Sequence, residues 1–235
     1  MLSENEIRSN LAGIEQRICS ACERAGRRRD EVTLIAVSKM NPYEAVIAAN
    51  NAGIDTFGEN KVQELTGKIE EVKRPLNWHL IGHLQTNKVK YVIGKVVLIH
   101  SVDSFHLAET ISKEAVKAGV TAQILIEINI ADEESKFGVK PNELEKLIRQ
   151  ISTLENVKIC GLMTVAPETE DPCNNRPYFR QMKELSVDIA SKNIDNVSMN
   201  VLSMGMTGDF EVAIEEGATH VRIGTGIFGR RNYLK

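Results

Sequence analysis

Short apolar runs alternate with amphipathic stretches along the whole chain. The first run, Thr33-Leu34-Ile35-Ala36-Val37-Ser38-Lys39, ends abruptly in a lysine before Met40-Asn41-Pro42. Such a run, β-branched at several positions and bounded by charged and turn-forming residues, reads as a buried strand. Upstream, Ser3 and Glu6 form a capping-box signature, and Ile7, Leu11, Ile14 and Ile18 recur at helical spacing. A helix over 3–25 is therefore predicted ahead of the strand. Pro42 opens a second helix through Ala45, Val46 and Ala49, which Gly53 stops. Further strands are predicted at 54–57, 78–82, 96–100, 122–129, 157–163, 197–202 and 219–223. Helical patterns separate them, among them Leu65 with Ile69, Val89 with Val92 and Ile93 before Gly94, and Phe210 with Ala213. Buried strands alternating with helices imply a parallel sheet. Eight such units in 235 residues predict an α/β fold, a single (β/α)8 TIM barrel with an extra N-terminal helix, spanning 1–235 as one domain. An open doubly wound sheet is the alternative. In both, active groups lie at the carboxyl ends of the strands.

Composition narrows the class only a little. With 42% hydrophobic residues and a formal net charge of −3, no global basic field points to nucleic acid or a membrane. Met1 to Glu6 lacks the basic and apolar regions of a secretory signal, and no apolar run reaches spanning length, so the cytoplasm is expected. Cys19, Cys22, Cys160 and Cys173 do not make a disulfide framework at this size. His79-x-x-x-His83 has metal-like spacing, but it falls on a strand and lacks an accompanying acid. No metal is expected.

The strand ends supply the chemistry. They carry Lys39, Glu59 and Asn60, His79 and His83, Lys136, Met163, Ser203 to Thr207, and Arg222 to Gly226. Ser203-Met204-Gly205-Met206-Thr207 joins a strand to a helix, with Thr207 placed as an N-cap. Free backbone N–H groups and hydroxyls in that setting bind phosphate, and barrels often use the loops after strands seven and eight for this. A simply capped helix fits the same residues. Gly224-Thr225-Gly226-Ile227-Phe228-Gly229 matches G-x-G-x-x-G, yet the sequence ends at Lys235, without the second strand and acid of a dinucleotide fold. The glycines instead let backbone approach an anion shared with 203–207. Lys39 can be a snorkelling rim residue. Opposite a phosphate site and an arginine, desolvation and neighbouring cations would instead give it a neutral, nucleophilic amine. Pyridoxal phosphate, a phosphorylated aldehyde, satisfies the lysine and the loops together.

At these residues the sequence strongly resembles the pyridoxal phosphate homeostasis protein family, and it is similar to the barrel domain of the related alanine racemases. The carrying segments are 36–39, 57–64, 78–88, 161–163, 202–207 and 221–229. The resemblance implies pyridoxal phosphate bound to Lys39 as a Schiff base. It implies phosphate contacts from Ser203, Gly205, Met206, Thr207, Gly224 and Thr225, with Arg222 facing the pyridine nitrogen. Asn60, His79 and Met163 would line the pocket. Family members commonly carry serine where this chain has Thr207. A permanent guanidinium at the ring nitrogen disfavours its protonation, so carbanion chemistry should be weak. Racemases add a second domain that delivers an opposing base, and this sequence stops after the barrel. The expected role is therefore a monomeric carrier or buffer in vitamin B6 homeostasis, without substantial turnover, and not an enzyme. Recipients would be apo forms of pyridoxal phosphate-dependent enzymes, with Lys136 a candidate transfer lysine. An amino-acid racemase and a Schiff-base aldolase-type barrel are the alternatives.

Overall fold

The fold comes from a computed structural model whose described residues are 2–133 and 135–229. Met1, Glu134 and 230–235, part of the expected 1–235 unit, lie outside the described residues. Helix α1 (Glu4–Arg24) starts where the Ser3 hydroxyl accepts the Glu6 amide and the Glu6 carboxylate accepts the Ser3 N–H at 2.7 Å. Its Ile7, Leu11, Ile14 and Ile18 are buried as their spacing predicts.

Eight parallel strands follow: β1 (Thr33–Val37), β2 (Thr56–Glu59), β3 (Asn77–Leu80), β4 (Leu98–Val102), β5 (Ala122–Glu127), β6 (Val157–Met163), β7 (Val197–Met206) and β8 (His220–Ile223). They close in sequence order, β1 pairing with β8 through Thr33–His220 to Ala36–Ile223. This is the (β/α)8 barrel, and closure excludes the open sheet. The outer helices are α2 (Tyr43–Asn51), α3 (Val62–Val72), α4 (Phe105–Ala118), α5 (Leu144–Ile151), α6 (Arg176–Ser191) and α7 (Phe210–Glu215). A single turn, α8 (Thr225–Phe228), follows β8. Among the described residues no helix is long and apolar enough to cross a membrane.

Beyond shifts of a few residues at the ends of β2 to β5, three features differ from the sequence expectation. Residues Thr86–Tyr91 form a 3-10 helix in place of the helix expected around Val89 and Val92. With three residues per turn it still stacks those two valines on one side. Strand β7 runs on to Met206, so Ser203 to Met206 belong to the strand and not to the loop after it. The cap of α7 is Asp209 and not Thr207.

Alternation separates two cores. Ile99, Ile124, Leu162, Leu202 and Val221 face outward into the main core with the helices. Leu98, Leu125, Cys160 and Met163 form a second apolar cluster, on the opposite faces of β4 to β6. His100 on β4 reaches Ser203 on β7, strands that are not neighbours in the barrel, so this second face is the interior.

Candidate functional site

The carboxyl end of the barrel opens above that interior cluster. Lys39, half-buried, stands in a tight turn just beyond β1. The Asn41 amide donates to the Ser38 carbonyl at 3.0 Å, and Met40 inside the turn has φ +61°. Asn60 leaves β2 at the same end, and a Cβ on Gly82 would come within 2.5 Å of its carbonyl oxygen. Gly82 thus lets the third strand's exit lie directly against Asn60. The Asn60 Oδ1 is buried without a protein partner.

Beneath the mouth runs a chain of buried polar groups. His79 Nδ1 meets His100 Nε2 at 2.8 Å, and His100 Nδ1 meets Ser203 Oγ at 3.0 Å. Arg222 Nη1 donates to the same hydroxyl at 2.6 Å, while Nη2 donates to the Thr164 carbonyl at 2.7 Å. The contact between the imidazoles holds one proton, so the accepting ring is neutral, and burial disfavours charge on both rings. Burial lowers the His79 pKa to about 3, with His220 adding to the shift. His100 is lowered well below its ordinary value, first by burial and then by His79 and Arg222. Burial also lowers Arg222 to about 10, which leaves the guanidinium charged at neutral pH. Ser203 is fully buried, and its hydroxyl bonds Arg222 and His100. Met163, expected to line the pocket, packs in the apolar interior beside Leu98 and Leu125.

The two glycine-bearing turns do meet. Thr207 Oγ1 accepts the Gly226 N–H at 3.3 Å, which joins the ends of β7 and β8. The Met206 amide is taken by Asp209 Oδ1 at 2.7 Å, and the other Asp209 oxygen accepts from Asn175 at 2.8 Å. Gly205 has φ +88°, and a Cβ there would lie 2.6 Å from the Ala213 side chain. Only glycine fits so close to α7. At Gly224 an added Cβ would meet nothing nearer than the Val37 carbonyl at 3.4 Å, which places this turn beside the end of β1 and hence beside Lys39.

A side cavity of about 160 Å3 adjoins the mouth, lined in part by Glu127, Asn129, Lys136 and Phe137. Lys136 pairs with Glu133 at 2.6 Å. His83, the second member of the metal-like pair, stacks on Phe137 with ring centres 3.9 Å apart. Among the described residues no group of three or more His, Cys, Asp or Glu is placed to hold a metal ion. Burial, reinforced by Asp103 and opposed by Arg222, raises the Glu127 pKa to about 7.

Lys68, His100, Glu127 and Thr164 escaped the sequence reading. His100 and Glu127 had a signal, since His100 ends an apolar strand run and Glu127 interrupts one. Lys68 had none, because a lysine four residues after Glu64 reads as an exposed helical pair.

The arrangement defines a class first. Residues 9–232 match the family model described as alanine racemase, N-terminal domain, a barrel with its chemistry at one mouth. A pyridoxal phosphate homeostasis protein of Aquifex aeolicus is 50% identical over 95% of this chain and 97% of its own length. Among solved structures, an unknown protein from Bifidobacterium adolescentis superposes with a TM-score of 0.92 at 36% identity, covering 97% of this chain and 98% of the other. PipY of Synechococcus elongatus with PLP bound gives a TM-score of 0.83 at 33% identity, covering 95% and 100%. The chain belongs to the pyridoxal phosphate homeostasis protein family.

Proposed function

We propose that the protein binds pyridoxal phosphate at the barrel mouth, covalently through Lys39, and acts as a carrier or buffer in its homeostasis without substantial turnover. The carrying observation is the buried Arg222, locked by Ser203 and Thr164 at the mouth where Lys39 and the joined 207–226 turns stand. The residues present fit the group. They offer an amine for its aldehyde, hydroxyl and glycine backbone at Thr207, Gly224 and Thr225 for its phosphate, and the unpartnered Asn60 Oδ1 for a polar ring substituent. Gly205 and Met206 shape the phosphate turn, and His79 supports the floor.

When bound, pyridoxal phosphate supplies an aldehyde that condenses reversibly with an amine, releasing water, and a ring that can accept electrons. Arg222 holds a positive charge against the position proposed for the ring nitrogen and disfavours a second one there. That weakens carbanion chemistry and favours holding over turnover. Lys136, on the adjoining cavity, receives the cofactor as it leaves for an apo-enzyme. We further infer a monomer acting in the cytoplasm, a setting that suits the free thiols Cys19, Cys22, Cys160 and Cys173.

Borohydride reduction of the loaded protein followed by peptide mapping tests the assignment. A stable label on Lys39, lost in Lys39→Ala while weaker phosphate-anchored binding persists, is expected. Labelling elsewhere refutes the Lys39 assignment. Rapid D-alanine formation from L-alanine refutes the carrier role, transfer to an apo-enzyme at an unchanged rate by Lys136→Ala removes that lysine's part, and a dimer in sedimentation removes the monomer.

A further inference from the structure

Lys68 on α3 is a lysine that the site does not use directly, yet it is 5% exposed. Its Nζ donates to the Ser38 carbonyl at 2.7 Å, to Glu59 Oε1 at 2.6 Å and to Glu64 Oε1 at 2.7 Å. Those three bonds use every proton of the ammonium. The same Glu64 oxygen accepts the Met40 amide at 2.5 Å. The same Glu59 oxygen accepts the Ser38 hydroxyl at 2.5 Å. Ser38 and Met40 flank Lys39, and both are therefore tied to one buried ion cluster.

We infer that Lys68, Glu59 and Glu64 are positioning residues that clamp the peptide groups on both sides of Lys39 and so fix where its amine is presented. The inference rests on the reading of Lys39 as the covalent attachment point. Its argument is geometric. Met40 holds φ +61°, a left-handed conformation that non-glycine residues seldom adopt. The hydrogen bond that its N–H donates to Glu64 and the one that Lys68 donates to the Ser38 carbonyl brace the turn from the two ends.

Stability alone does not call for such a cluster. Burying the Lys68–Glu59 pair is unfavourable beside apolar residues of similar size, and Glu59 Oε2 is buried without a partner. What the cluster provides is a rigid link from α3 to the turn. An amine that must meet an aldehyde in one orientation reacts faster when its backbone is fixed beforehand.

The test uses pyridoxal phosphate itself, with the rate of borohydride-trapped label on Lys39 read by mass spectrometry. Hydrogen exchange of the Met40 amide is followed in the protein without added cofactor. Glu64→Ala is the mild variant, because this side chain reaches solvent at the edge of the cluster. It should melt close to wild type, speed Met40 exchange, and slow labelling about tenfold or more. Glu64→Gln keeps the accepting oxygen and should restore most of the rate. Labelling of Glu64→Ala at the wild-type rate, despite faster Met40 exchange, overturns the clamp. So does a failure of Glu64→Gln to recover, which would trace the loss to something other than the hydrogen bond. Should Glu64→Ala not fold, Lys68→Met combined with Glu59→Gln removes the innermost charges together and must slow labelling likewise. Wild-type protein that takes no label on Lys39 refutes the reading of the site itself, an outcome distinct from all of these.

Discussion

Glu127 holds a proton in the folded protein at pH values where an unfolded chain has lost it. Burial raises its pKa to about 7, Asp103 adds to the rise, and Arg222 opposes it. Between the ordinary 4.5 and about 7 the native state binds more protons, so this contribution to stability is present at low pH and lost as pH rises. Glu127→Gln, which stays neutral throughout, should gain stability relative to wild type across that interval, by about 3 kcal/mol in total. Urea denaturation of both proteins near pH 4.5 and pH 7.5 measures it, and a constant difference between them would contradict the shift. At this scale the sequence reading foresaw positions better than partners. Lys39, Asn60, Thr207, Gly224 and Arg222 do gather at one mouth. Ser203, whose hydroxyl suggested phosphate, turns inward to Arg222 because β7 continues to Met206. No periodicity could reveal that Asp103, just past β4, Glu127 on β5 and Arg222 on β8 influence one another.

Elements were legible where burial makes a pattern and blurred where it does not. The Ser3–Glu6 capping box and the apolar stripe of α1 appear in the structure where they were expected. The strand ends shifted, because a barrel strand is buried on both faces and polar residues facing the interior interrupt its apolar run. Strand β6 shows a constraint that no propensity announces. Its pairing with β5 and with β7 shifts register at Cys160 and Gly161, and a Cβ on Gly161 would lie 1.7 Å from the Val201 carbonyl oxygen. The irregularity draws β6 and β7 together and depends on the absence of a side chain. Gly161→Ala must push the two strands apart, breaking their ladder beneath Ser203. A loss of about 3–5 kcal/mol is expected, visible as a large fall in melting temperature. Gly13→Ala, where an added Cβ meets nothing within 4 Å, should match or exceed wild type. Equal melting of Gly161→Ala and wild type would show that the strands can accommodate the methyl.

The whole barrel is built around a neutral histidine cluster, and this sets its response to acid. His79 has a pKa lowered to about 3 and His220 to about 4, both chiefly by burial, and His100 is lowered well below its ordinary value by burial and then by His79 and Arg222. An unfolded chain protonates these side chains near 6.5, so below that value it binds protons that the native barrel refuses. The stability they contribute is therefore fully present above about pH 6.5 and is lost as pH falls toward the folded values. The raised acids Glu127 and Glu59 pull the opposite way, because the native state keeps their protons as pH falls. Three histidines against two carboxyls leave a net of one to two protons, since Glu59 is also held down by its pairing with Lys68. Between about pH 6 and pH 5 stability should then drop by about 1.4–2.7 kcal/mol per pH unit. The carboxylates lowered by their ion pairs, such as Glu215 and Glu216, add to the fall chiefly below about pH 5, where an unfolded chain begins to protonate them. His220→Asn keeps a polar group beside Thr219, which bonds His220 at 3.0 Å, and removes one titrating ring. Its stability should fall less steeply by about 1.4 kcal/mol per unit. Urea midpoints for both proteins across the window decide the matter: parallel lines would mean that His220 is charged in the folded barrel, and a flat wild-type line would mean that the cluster takes up protons without opening.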